Sequence, residues 1–271
     1  MTLSHWYKYM AGISFLLIAF YLNGISQVSI EKHWMESVMA PTLQDIGFDL
    51  LPELTVPNLP DYMIGVLFLF ALMIFVLNVK RGLIFRRLCV TMGFVYILRF
   101  ITMSVTILPN PYKKCESTDI HENIFIGALK VVIHKRTTCG DVLFSGHASA
   151  MTLFVMTFHE YASSSFRFNP TPLVVCVWVL GIMGWIIIIS SRFHYTIDVL
   201  IAVLVTVTSF KIYHELARSD TYHLLEWYES SDHDVLLLGR NDEEIIEEEE
   251  EGENLVGEYA EVLSCEDTTQ I

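Results

Sequence analysis

Charged residues are sparse over the first two hundred positions, and they bracket apolar runs. Lys8 and Glu31 enclose a first uncharged segment, and Asp61 and Lys80 enclose a second of 18 residues. A third run extends from about Leu88 to Pro109 and is interrupted by Arg99. A fourth extends from about Val142 to His159, with His147 near its start. A fifth lies between Arg167 and Arg192, its helix predicted to begin near Pro172. The sixth is the shortest: 12 residues separate Asp198 from Lys211, so it needs His194 to Asp198 at one mouth and Lys211 near the other. A helix crosses the hydrocarbon with roughly 20 apolar residues. The pattern therefore predicts an all-α integral membrane protein with six transmembrane helices. The first segment is longer than a signal-peptide core and has no small-residue cleavage site, so it reads as an uncleaved anchor.

Composition agrees: 53% of residues are hydrophobic and the mean hydropathy is +0.45. The net charge of -14 is not spread evenly. Residues 232–271 hold 15 acids and one base, Arg240, so the rest of the chain is neutral. Nothing here resembles a basic nucleic-acid surface. Three segments are expected: an N-terminal part, 1–61, with the first helix and a loop; a membrane core, 62–216, with helices two to six; and a tail, 217–271. From about 231 the tail is too acidic and too poor in apolar residues to fold, and is expected to be disordered. It carries an acidic dileucine-type string, Asp232 to Leu236-Leu237, and a tyrosine-type string, Tyr259 to Val262, both short. Sorting adaptors are the partners these strings suggest, against the simpler reading of a solubilising tail.

Basic residues flanking short loops orient membrane helices toward the cytosol. Lys80, Arg81, Arg86 and Arg87 lie between the second and third spans, which places that loop, and with six spans both termini, in the cytosol. The loop before span two is acidic (Glu31, Glu36, Asp45, Asp49, Glu53) and falls outside. The loop before span four opposes this assignment with Lys113, Lys114, Lys130, Lys135 and Arg136, but it is longer and so weighs less. In this topology His147 at the mouth of span four, and His194 and Asp198 at the mouth of span six, share the exoplasmic face. Cys115 and Cys139 would share it too and could pair in an oxidising compartment. Cys89 and Cys176 fall within spans and read as packing residues.

Ionisable groups beside a membrane span are costly and mark function by default. His194 and Asp198 are four apart, which on a helix puts them on one face. A carboxylate that holds one imidazole nitrogen leaves the other as a nucleophile. His147 could then act as acid toward a leaving alkoxide and as base toward an incoming hydroxyl. Gly146 permits close backbone approach to a phosphate. Ser145 and the first amides of span four can donate to its oxygens, and Arg192 can neutralise developing charge. The bland alternatives are a structural hydrogen-bonding His and simple helix-end chemistry. Arg99 is either a snorkelling or buried ion-pairing residue or a headgroup contact. Asp141 is either a helix cap or a pocket residue. Tyr195 and Thr196 either line the pocket or sit in an interfacial belt. Zinc is disfavoured, because there is no His-Glu-x-x-His and no paired Cys-x-x-Cys.

Ser145-Gly146-His147 with His194-x-x-x-Asp198 resembles the lipid phosphatase and phosphotransferase superfamily. Cys139-Gly140-Asp141-x-x-x-Ser145-Gly146-His147 and His194-Tyr195-Thr196-x-Asp198-Val199 resemble the sphingomyelin synthase family within it. Pro57-Asn58-Leu59-Pro60-Asp61 is similar to that family's proline-rich block, with Asn58 in place of the usual proline. Arg86-Arg87, Tyr96, Arg99, Thr102, Thr106 and Leu108-Pro109 are similar to its next block. The resemblance covers about residues 55–215. It implies a sphingolipid synthase that moves a phospho-headgroup from a glycerophospholipid to the primary hydroxyl of ceramide and releases diacylglycerol. His194 would be the nucleophile, Asp198 its orienter and His147 the acid and base. Arg99, Asp141, Ser145, Arg192 and Tyr195 would bind substrate, and no cofactor or metal is implied. Phosphocholine is the leading headgroup, giving a sphingomyelin-type lipid, with ethanolamine-phosphate and inositol-phosphate as alternatives. A lipid phosphate phosphatase is a further alternative, but the Lys-x6-Arg-Pro block and Pro-Ser-Gly-His of water-using relatives are missing. A lipid-binding or scrambling protein is the non-enzyme alternative. The partners expected are ceramide, glycerophospholipid, the bilayer and a second copy of the chain. The expected site is lumenal or extracellular, in Golgi or plasma membrane.

Overall fold

The protein is seen in a computed structural model that describes residues 3–56, 58–112, 115–116, 122–218 and 228. Eight helices appear among them: α1 (Leu3–Val38), α2 (Ile46–Leu50), α3 (Leu59–Leu77), α4 (Arg81–Val105), α5 (Ile124–Val132), α6 (Gly146–Ser165), α7 (Thr171–Ser190) and α8 (Thr196–Arg218). The chain divides into two units, Met1–Ser219 and Asp220–Ile271. The first contains all eight helices. The acidic stretch and both sorting-type strings belong to the second and lie outside the described residues.

Five helices, α1, α3, α4, α7 and α8, are long and apolar enough to cross a membrane. Only 22% of the most apolar stretch of α3 is covered by protein, and 39% of that of α1. Their outward faces carry large apolar side chains such as Leu69, Val76, Val175, Leu200 and Leu204, as hydrocarbon-facing surfaces do. The run that looked weakest, after Asp198, is among the five: α8 continues past Lys211 to Arg218. Besides the short helices α2 and α5, the helix outside the five is α6. Its sequence is rich in Ala, Ser and Thr, and it packs against α3, α4, α7 and α8. From Ala148 to Phe158 every residue is buried. A helix that touches protein on all sides needs small side chains for close packing more than it needs lipid solubility. Its hydroxyls turn back on the helix itself: Ser149, Thr152 and Thr157 donate to the carbonyls of Ser145, Ala148 and Leu153 at 2.7–3.0 Å. On the facing helix α7, a Cβ at Gly181 would lie 2.8 Å from Val155 and one at Gly184 2.6 Å from Met151 Sδ. Both glycines thus allow the helices to meet.

Several boundaries differ from those the hydropathy pattern suggests. α6 starts at Gly146, not Val142, because Ser145 caps it, its Oγ accepting from Ala148 N at 3.1 Å. α4 starts at Arg81, so Arg86 and Arg87 lie within a helix and the connection from α3 is only three residues, 78–80. There Asn78 stops α3 and donates to Ser164 and Ser165 at 2.9 Å, fixing the turn against the end of α6. α1 runs on to Val38 through a kink at Trp34. Cys176 is exposed on α7 and is not a packing residue, whereas Cys89 is buried.

Candidate active site

The N-terminal ends of α3, α6 and α8 meet at one place. Asp61, in the first turn of α3, lies 3.1 Å from Nε2 of His147, the second residue of α6. The amide of Ser145 donates to the carbonyl of Asp198 in the first turn of α8 at 3.3 Å. Each of these ends carries unpaired backbone amides and the positive end of a helix dipole. Three such ends around one space favour an anion, a phosphate above all.

His147 and His194 face each other there, their ring centroids 6.2 Å apart. His194 is 3% exposed, and its Nδ1 donates to the carbonyl of Val142 at 2.8 Å. That bond places the ring proton on Nδ1 and leaves Nε2 with a lone pair. Burial above all, with the nearby charges of His147 and Arg99, pushes the His194 imidazole down to about 3, the bond to Val142 opposing. The ring is therefore neutral at physiological pH, as a nucleophile must be.

Asp198 does not hold His194. The expectation that the two share a helix face fails because α8 begins only at Thr196, leaving His194 in the preceding turn. Asp198 Oδ2 instead accepts from the amide of Tyr195 at 3.0 Å. This is half of a capping box, in which the third helical residue reaches back to the cap. Asp198 is fully buried, and its Oδ1 has no partner. It therefore acts on His194 by fixing the turn that carries it, while a backbone carbonyl does the orienting that a sequence motif assigns to a side chain.

The segment Cys139–Ser145 supplies that carbonyl and is pinned at several points. Cys139 forms a disulfide with Cys115. Its amide donates to Glu31 of α1, which also pairs with Arg136 at 3.1 Å; both charged side chains are fully buried. Arg99 of α4 is 2% exposed; its Nε donates to the Phe144 carbonyl at 2.6 Å and its Nη1 to Asn23 Oδ1 at 3.2 Å. It also forms an ion pair with Asp141. Of the two readings of Arg99, the geometry is thus that of a buried ion-pairing residue. Asp141 is its partner and not a helix cap. Ser145 is fully buried, and its hydroxyl oxygen is engaged in capping α6.

Two further expected substrate contacts serve the walls of the site. Arg192 donates to the carbonyls of Phe48 and Leu51 at 2.7 and 3.1 Å and lies 4.3 Å over the Phe48 ring. Tyr195 is 2% exposed; its hydroxyl donates to the Pro109 carbonyl at 3.0 Å and accepts from Leu43 N at 3.1 Å. It is a pin for the surrounding loops, not an interfacial belt residue. Asp45 completes the frame, capping α2 at Gly47 N (2.8 Å) and holding both the amide and hydroxyl of Thr196. Asp61 is the site residue that sequence reasoning passed over as a mere boundary of span two. Its place in the proline-rich block, at the mouth of an apolar run, was the available signal. Among the described residues no cluster of three His, Cys, Asp or Glu could hold a metal ion.

Residues 138–215 match the family described as PAP2 superfamily C-terminal, a stretch that holds His147, His194 and Asp198 and ends within α8. A mouse protein named sphingomyelin synthase-related protein 1 is 29% identical over 232 residues, covering 80% of this chain and 47% of the relative. A Trypanosoma brucei brucei phosphatidylethanolamine:ceramide ethanolaminephosphotransferase is 37% identical over 115 residues, 41% of this chain and 34% of the relative. A phosphatidylinositol:ceramide inositolphosphotransferase of Oryza sativa subsp. indica is 28% identical over 218 residues, 73% and 61% respectively. The chain spans about half the length of the mouse relative.

Proposed function

We propose that the chain, which is similar to sphingomyelin synthase-related and ceramide phosphotransferase relatives, transfers a phospho-headgroup from a glycerophospholipid to the primary hydroxyl of ceramide, phosphocholine being the leading headgroup. The observation that carries this reading is the neutral, oriented His194, with Nδ1 bound to the Val142 carbonyl and the His147 ring 6.2 Å away. Nε2 of His194 attacks the donor phosphorus, the bond to the diacylglycerol oxygen breaks, and His147 protonates that oxygen. His147 then takes the proton of the ceramide hydroxyl, whose oxygen attacks the phosphohistidine and frees His194. The helix N-termini stabilise the charge on the phosphoryl oxygens. Asp198 holds the turn before α8, and Arg99 with Asp141 holds the loop before α6.

In the membrane, α6 is the sixth span, packed among α3, α4, α7 and α8. The basic residues Lys80, Arg81, Arg86 and Arg87 lie at the far end of α3 from Asp61. This supports an exoplasmic site with both termini cytosolic. Golgi and plasma membrane are the compartments we assign, with sorting adaptors on the tail. The test supplies purified protein with fluorescent ceramide and, separately, phosphatidylcholine, phosphatidylethanolamine or phosphatidylinositol. A new phospho-ceramide, absent with His194→Ala, is expected. No product from any donor would overturn the reading, and free phosphate released from a lipid phosphate would put hydrolysis in its place.

A further inference from the structure

The connection from α4 to α6 is not all loop. Ile124 to Ile133 is an apolar run whose single charge, Lys130, pairs with Glu122 at 2.5 Å. A run of about ten apolar residues is too short to cross the hydrocarbon, but it suits a helix that enters the membrane without spanning it. α5 occupies this run and is two-faced. One face is Gly127 and Ala128, both buried against α1. A Cβ at Gly24 of α1 would lie 2.8 Å from the Ala128 carbonyl oxygen, and one at Gly127 3.2 Å from Val28. Tyr21 of α1 donates to the Phe125 carbonyl at 3.3 Å. The other face is Phe125, Ile126, Leu129 and Ile133, each 50–63% exposed and spaced to fall on one side of a helix.

The register of α1 against α4 gives the depth of that contact. The two helices run parallel: Tyr9 meets Gly82, Asn23 Nδ2 donates to the Tyr96 carbonyl at 2.7 Å, and the Ser26 and Ser104 hydroxyls meet at 3.2 Å. Lys80 and Arg81, both exposed, mark the polar border at the start of α4. Tyr21 and Val28 lie 12 and 19 residues beyond Tyr9, about 18 and 28 Å along the helix at 1.5 Å per residue. The hydrocarbon is about 30 Å thick, so α5 meets α1 inside the far leaflet and not in the aqueous layer beyond it. The neighbouring surfaces agree. Leu17 and Ile18, one turn before Tyr21, are exposed apolar residues of α1, and α4 still turns Ile101 and Val105 outward near the level of Ser26. The exposed face of α5 continues this apolar surface.

We propose that α5 is set into the leaflet on the histidine side, with Phe125, Ile126, Leu129 and Ile133 among the acyl chains. The occupant of this face is lipid, not a second protein surface. Gly127 lies against the Arg136 guanidinium, a Cβ there falling 2.7 Å from Nη1. α5 thus stands between the lipid and the fully buried Arg136–Glu31 pair, to which the Cys139 amide is tied. A lipid-covered helix keeps water from that pair and so steadies the segment that leads to the Val142 carbonyl. The proposal needs a membrane protein but does not depend on the phosphotransferase reading.

The test places a nitroxide label at Ile126→Cys or Leu129→Cys in the full chain in phosphatidylcholine nanodiscs, with Cys89→Ala, Cys176→Ser and Cys265→Ser and the Cys115–Cys139 bond kept. Both replaced side chains are exposed, so neither leaves a hole in the protein. Collision of the label with oxygen, which concentrates in hydrocarbon, is compared with collision with a water-soluble nickel chelate. Leu69→Cys on the outward face of α3 is the hydrocarbon reference, and Arg167→Cys, exposed in the connection from α6 to α7, is the aqueous one. Positions 126 and 129 are expected to match position 69, with an oxygen-to-nickel ratio several-fold above that at 167. A ratio like that at 167 would put α5 in water and overturn the proposal. Exclusion of both reagents would mean that protein covers the face, a second copy if the labels also broaden each other, and would overturn it too. A hydrocarbon ratio in a chain that transfers no headgroup would uphold the proposal and remove only the transferase reading.

Discussion

Replacing Glu31 should disable a site that it does not touch. Glu31 is fully buried, accepts from the Cys139 amide and pairs with Arg136. Glu31→Ala leaves a guanidinium uncompensated in the protein interior and an amide without an acceptor. Removing one partner of a buried ion pair typically costs about 3–5 kcal/mol. Glu122, 3.8 Å from Arg136 on the other side, offsets part of this, so about 3 kcal/mol is the expected loss. At about 2–4 °C per kcal/mol for a chain of this size, the melting temperature should fall by about 6–12 °C. The cost falls on the segment that delivers the Val142 carbonyl to His194, so transfer activity should fall further than the folded fraction does. The assay is thermal unfolding in detergent beside initial rates well below the melting point. Glu31→Leu combined with Arg136→Leu should recover most of the stability, because no charge is then left alone. A Glu31→Ala protein that melts within 1 °C of the native one and keeps its full rate would refute the reasoning.

Asp61→Ala should lower kcat/KM by about 10- to 100-fold, the lower part of the range for general acid–base catalysis, while barely moving the melting temperature, since its contact with His147 is half exposed; steady-state rates beside melts would settle this, and an unchanged rate would exclude Asp61 from the site. His194 makes stability depend on pH. Its folded value of about 3 lies below its ordinary 6.5, so the unfolded chain binds the proton more readily. The stabilising term is present in full above about pH 6.5 and is lost as pH falls toward 3; melts from pH 7 to 4 should therefore decline more steeply for the native protein than for His194→Asn, and parallel curves would contradict the burial argument. Breaking the Cys115–Cys139 bond, which closes a separation of 24 residues, should cost about 3 kcal/mol and lower activity in the Cys115→Ser protein, whereas an equal rate and melting temperature would show that the loop holds without it.

The hydrophobic pattern alone carried the all-helical membrane character, because a bilayer demands long apolar helices and leaves a plain trace in composition. It also brought His147, His194 and Asp198 to one face, since alternate spans must begin on the same side. It marked a short span between Asp198 and Lys211, where twelve uncharged residues looked too few; α8 runs on past Lys211 to Arg218, because a lysine near a helix end can reach the interface. What it could not supply were contacts between segments distant in sequence. The pairing of Asp61 with His147, of Val142 with His194 and of Glu31 with Cys139 joins residues 86, 52 and 108 positions apart. No local periodicity encodes such pairs. The i, i+4 rule misassigned Asp198 for the same reason: it presumes a helix, and whether the helix includes His194 was decided by where the Asp198 cap closes it. Arg99 and Arg192 had the chemistry of phosphate binders in either reading. Only packing decided that one secures the loop before α6 and the other holds the end of α2, because a guanidinium takes whichever oxygens the fold brings within reach.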